Sequence, residues 1–134
     1  MNFLKSNLFI IVFVMINYCQ AQIAKTCDDF KNIIVIDKIS DNQYSKIVFD
    51  KKYHTEFTSE NKSEYIKSKI DYNKVNPCVI TLEIIEVTDK NFPFPIGEKM
   101  ILELTNFEND NISYVAKVRD IEHHGVYKVL SKLD

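Results

Sequence analysis

The run Cys78-Val-Ile-Thr-Leu-Glu-Ile-Ile-Glu-Val-Thr-Asp89 constrains the chain most: it is the longest β-type stretch, and its alternation predicts a long strand. Ile80, Leu82 and Ile84 fall on one face, and Thr81 and Glu83 on the other. The phase then slips: Ile85 and Val87 carry the apolar parity onward, and Glu86 stands where a buried residue is due. One extra residue near Ile84-Ile85, a β-bulge, restores the phase, and bulges of this kind accompany sheets that curl into barrels. A straight strand covered on both faces fits the same residues, so both readings stand.

The flanking segments are also strand-like. Ile33-Ile-Val-Ile36 runs on to Ile39 as an apolar, β-branched strand buried on both faces, and Asp41-Asn42 makes a turn. Ile47 and Phe49 alternate with Lys46 and Asp50, which predicts a hairpin with the first strand. Tyr53, Thr55 and Phe57 alternate with His54 and Glu56 in a short third strand or a continuation of the second. Met100, Leu102 and Leu104 define a strand beyond the central run. Glu108-Asn-Asp-Asn111 turns the chain, and Ile112, Tyr114, Ala116 and Val118 share the next apolar face. His124-Gly125 reads as a further turn, with a last strand from Val126 to Leu130.

Thr58 to Asn76 has a different texture, polar and rich in Lys, Ser and Asn. Ile66 and Ile70 share one helical face, Lys67 and Asp71 pair at i,i+4, and Asn61 followed by Glu64 resembles an N-cap. This predicts one short amphipathic helix over 62–74, ended by Asn76-Pro77, with a disordered loop as the rival. The expected fold is therefore mainly β (α+β): an antiparallel curled sheet, a small barrel or sandwich, with one short amphipathic helix. A helix between the third and fourth strands resembles an OB-type order, which the extra strands do not follow cleanly.

The first residues read as an address. Lys5 and the free amine precede the unbroken apolar run Leu8–Ile16, and Cys19 and Ala21 supply small residues for cleavage after Ala21. That run is too short for a membrane span, which needs roughly 20 residues. Residues 1–21 are thus expected to be a signal peptide and 22–134 a single β-rich domain, secreted or periplasmic. Membrane contact would be transient, through the signal peptide; lipid attachment at Cys19 is the rival, disfavoured by the bulky Tyr18 before it. In an oxidising compartment Cys27 and Cys78, the two remaining cysteines, are expected to form a disulfide. The net charge of −2, without a basic block, argues against nucleic acid as a partner.

Candidate chemistry is thin. Adjacent His123 and His124 point to opposite faces of a strand, and His54, the only other histidine, is distant in sequence, so no metal or cofactor is expected. There is no nucleophile motif, and the only glycines, Gly97 and Gly125, cannot build a phosphate-cradling loop. No catalytic set emerges. The best binding candidate is the Phe92-Pro-Phe94-Pro95 loop, whose aromatics are held stiffly by proline; alternatively they cap the open end of the sheet as core. Asn61 and Asn111 each begin an N-glycosylation triplet. The leading expectation is a small exported, disulfide-stapled binding module acting on a protein partner, as an inhibitor, immunity-type or surface accessory protein would. A small secreted enzyme, such as a metal-dependent hydrolase using His123 or His124, and an envelope structural component are the alternatives.

Overall fold

The computed structural model describes residues 22–133, so the expected signal peptide lies outside the described residues. Eight antiparallel strands form a closed barrel in simple up-and-down order: β1 (Ile33–Ser40), β2 (Gln43–Phe49), β3 (Tyr53–Phe57), β4 (Tyr65–Tyr72), β5 (Val79–Val87), β6 (Lys99–Glu108), β7 (Asn111–Val118) and β8 (Ile121–Lys132). Pairing of β1 with β8, from Ile33↔Lys132 to Asp37↔Tyr127, closes the sheet and leaves no free edge. The curled antiparallel sheet is thus a barrel rather than a sandwich.

Alternation places Ile33, Val35, Ile47, Phe49, Ile80, Leu82, Leu102, Leu104 and Ile112 inside, nearly free of solvent. The central strand behaves as its pattern requires. Ser68 pairs with Ile84 and Lys67 with Glu86, so Ile85 is the bulged residue and Glu86 stays outside. Thr105 plays the same part on β6, where Leu104 faces Tyr114 and Asn106 faces Ser113. Asn109 and Asp110 both adopt positive φ (51° and 61°), the geometry of a two-residue hairpin turn.

Three expectations are corrected. The stretch read as an amphipathic helix is β4. Ile66 and Ile70 are four residues apart, a spacing that suits a helical turn and an even strand period alike, and Ser68 between them hides the alternation. Asn61 caps no helix: its Oδ1 accepts from the Ser63 backbone N–H (3.2 Å) and from two serine hydroxyls, shaping the β3–β4 turn. With no helix there, the OB-type order lapses; the helical element described is a single 3-10 turn, Cys27–Asp29.

Gly125 is not a turn. The chain reverses at Arg119-Asp120, and β8 runs unbroken through Gly125, which lies opposite Tyr114. A Cβ at position 125 would come within 2.5 Å of the Tyr114 ring, so the glycine makes room for that ring. The first strand, finally, is buried on one face only: Ile33 and Val35 point inside, whereas Ile34 and Ile36 are only partly covered on the outer face, and Ile39, at the irregularity between Lys38 and Ser40, is 54 % exposed.

Residues 22–32 cross one end of the barrel and seal it. Cys27 is joined to Cys78 at the start of β5, as the cysteine pair predicts, and such a bond fits an oxidising compartment. Asp110 Oδ1 accepts the N–H groups of Ile23 (2.8 Å) and Ala24 (3.3 Å). Phe30 enters the core from below, edge-on to Phe49 at 4.6 Å. The opposite end is spanned only by turns and by the connection over residues 88–98, the longest among the described residues.

Candidate functional site

Behind that second end lies a cavity of about 300 Å³. Eight strands give an interior just wide enough for one small ligand when side chains do not fill it. The wall has two halves. Ile84, Phe92, Phe94, Met100, Val118 and Ile121 make one part apolar, whereas Asp37, His54, Glu56, Ser68, Tyr114 and Tyr127 bring polar groups in among Ile47, Ile66 and Leu82.

The polar half follows from strand phase. Asp37 continues the inward series Ile33, Val35 on β1, so a carboxylate occupies a core position. On β3 the alternation is as the residues imply, but inverted: His54 and Glu56 face inward, while Tyr53, Thr55 and Phe57 lie on the outer face. Asp37 accepts a 2.6 Å hydrogen bond from the Tyr114 hydroxyl. Tyr114 in turn stacks on Tyr127, with ring centroids 4.0 Å apart.

Burial governs the charges here. Desolvation raises the Asp37 carboxyl above its ordinary value, against the pull of the Tyr114 hydroxyl and of His123. Glu56 is also raised, first by burial and further by the charge of Asp37; it is accessible only in part. The Ser45 hydroxyl lies close enough to draw Glu56 down somewhat, yet makes no hydrogen bond of good geometry. His54 is pushed down to about 4 by burial, and its Nδ1 makes no hydrogen bond beyond a poorly aligned approach to its own backbone. The imidazole is therefore neutral at pH 7. Tyr114 is raised by burial and by Asp37, which keeps its hydroxyl a donor.

The loop expected to bind stands at the mouth. Phe92 and Phe94 are half-buried, edge to face with centroids 5.7 Å apart, and both line the cavity. Its base is pinned where Gly97 N–H donates to Ile84 O (2.8 Å) and Ile84 N–H to Glu98 O (3.0 Å). Gly97 takes φ +92°, a conformation that favours glycine. Across the mouth, Arg119 forks onto Glu98 at 2.8 and 3.2 Å and lies over the Phe94 ring at 5.5 Å. That cation holds Glu98 below the usual carboxylate range.

His123 faces the cavity at its exposed rim, whereas His124 points outward and bonds Glu122 at 3.0 Å. The pair therefore shares no site. Among the described residues no three His, Cys, Asp or Glu side chains gather as metal ligands would. Residue patterns point to Phe92 and Phe94 but miss Asp37, His54, Glu56 and Tyr114. The available signal was a charged residue in the apolar phase of β1.

No known family model matches the chain, and no curated protein or solved structure does either. What the site is for rests on its chemistry alone.

Proposed function

We propose that this protein is a small exported binding protein that takes a small, largely apolar molecule into the barrel through the mouth beneath Phe92 and Phe94. The observation that carries this reading is the asymmetry of the ends: one is stoppered and covalently stapled, and the other opens onto an unfilled cavity of about 300 Å³. That volume is at the low end of small-molecule sites, which are largely apolar with a few placed polar groups. Export is supported by the address-like residues 1–21 and by the disulfide.

Tryptophol, a neutral indole alcohol, tests the reading directly, because the chain has no tryptophan to mask indole fluorescence. The folded domain, residues 22–134, should bind it saturably, and a Phe92→Ala/Phe94→Ala double variant should lose at least tenfold in affinity. No saturable binding of any indole probe by the folded protein would end the small-molecule reading.

A second reading keeps the protein partner. Ile96 and Ile121, 66 % and 53 % exposed, flank the same aromatics and enlarge the apolar surface at the rim. A partner docking there would also lose affinity in the Phe92/Phe94 variant, but it would leave the cavity free to bind tryptophol.

A further inference from the structure

Two carboxylates face the cavity, Asp37 from β1 and Glu56 from β3, and no lysine or arginine of the described residues lines it. Neither forms a salt bridge among the described residues. Asp37 has one hydrogen bond, from Tyr114 to Oδ2, and no protein donor reaches its other oxygen among the described residues. His54, 6 % exposed and lining the same cavity, leaves Nδ1 without a well-made partner. His123, the only other titratable base on the wall, stands exposed at the rim. Buried acceptors normally find donors, and buried charges are normally paired. This wall gathers two carboxyl groups at core positions, with no cationic complement supplied by the described residues.

The remaining surface of the cavity is suited to a flat cation. Tyr114 and Tyr127 stack as one aromatic wall, and Phe92 and Phe94 cover the entrance. Aromatic faces attract cations as well as apolar rings. A carboxylate ligand would face two carboxylates in a poorly solvated space, where like charges repel strongly.

We propose that the cavity selects an organic cation, a protonated amine carried on a flat apolar body, with its ammonium between Asp37 and Glu56 and its body under Phe92 and Phe94. The ammonium N–H groups then donate to the free oxygen of Asp37 and to Glu56. This rests on the small-molecule reading above and narrows its ligand class.

Three indole probes of near-equal size separate the two levels: tryptamine (cation), tryptophol (neutral) and indole-3-propionate (anion). The folded domain at pH 7 should bind tryptamine at least tenfold more tightly than tryptophol, and indole-3-propionate weakest. In Asp37→Asn and Glu56→Gln the ratio of tryptamine to tryptophol affinity should fall by about tenfold each, the scale of a charge-assisted hydrogen bond. Both substitutions keep the side-chain shape, and the amide oxygen introduced by Asp37→Asn would still accept from the Tyr114 hydroxyl. Equal binding of tryptamine and tryptophol by the unmodified protein would overturn the cation inference and leave the small-molecule reading standing. That comparison needs no variant to fold. Preference for indole-3-propionate would overturn the inference outright, whereas failure of all three would remove the underlying reading.

Discussion

The two ends of this barrel are built from the same eight strands and treated in opposite ways. At the stoppered end Phe30 is wholly buried against Phe49, Asp110 ties down the entering chain, and a disulfide anchors it to β5. At the open end the aromatics are half-buried, and the cavity wall beneath them carries two carboxyl groups and two imidazoles. Polar side chains at core positions cost stability unless they are partnered. The contrast separates the two ends of one sheet: covalent and core cohesion is concentrated at the end opposite the cavity. Functional sites commonly break the local rules that the rest of a fold obeys.

Breaking the staple should give the largest effect. A Cys27→Ser/Cys78→Ser variant closes no loop across the sequence separation of 51 residues. In the chain-entropy description that costs about 4 kcal/mol, within an observed span of about 2–5 for small secreted domains. Equilibrium urea unfolding reads it directly. Tryptophol affinity, measured where the variant is still folded, should hardly move, because neither cysteine lines the cavity. A loss of stability below about 1 kcal/mol, small for a native disulfide, would mean that the two ends share cohesion equally.

Acid should act on the other end. His54 takes up its proton only near pH 4 in the fold, against 6.5 for an ordinary histidine. Between those values the unfolded chain binds more protons, so stability rises with pH across the window and is lost as pH falls through it. From pH 7 to pH 5 this amounts to about 2 kcal/mol. Asp37 and Glu56 work in the opposite sense: their raised values mean that the fold holds protons longer than the unfolded chain does, so acidification returns part of the loss. His54→Leu removes the histidine contribution and leaves that of the carboxylates. Its unfolding free energy should fall by about 2 kcal/mol less than that of the unmodified protein over the same interval. Parallel pH profiles for the two proteins would show that the polar wall is well solvated.

Much of the architecture is legible in the residues. The phase slip at Ile84-Ile85 locates the bulge, the even cysteine pair names the disulfide, and the alternations of β6 and β7 give the inward faces. Where reading fails, two physical answers share one local pattern. A spacing of four between Ile66 and Ile70 satisfies helix and strand together, and only pairing with β3 and β5 decides between them. Gly125 has the composition of a turn, yet it is demanded by a ring from the neighbouring strand. The polar part of the wall is hidden for a related reason. Tyr53, Thr55 and Phe57 carry the more apolar face of β3, and their outward orientation follows from the register with β2 and β4, a non-local fact. Phe92 and Phe94 were visible because proline on a connecting loop is a local signal.

The smallest effect on stability per side chain separates a lid from a core plug. If Phe92 and Phe94 filled the barrel end as core, truncating each would cost about 3–5 kcal/mol, as for buried phenylalanines generally. They are instead half-buried over unfilled space, on a loop held by the backbone bonds of Ile84, Gly97 and Glu98 and by the Arg119–Glu98 fork. None of those anchors needs the rings. The Phe92→Ala/Phe94→Ala variant should therefore lose only about 1 kcal/mol per ring in urea unfolding, the scale of partial burial, while losing at least tenfold in tryptophol affinity. Large losses in both would make the rings part of the core and their binding role indirect. A small loss in stability with a large loss in affinity is the signature of a mouth whose aromatics meet the ligand itself.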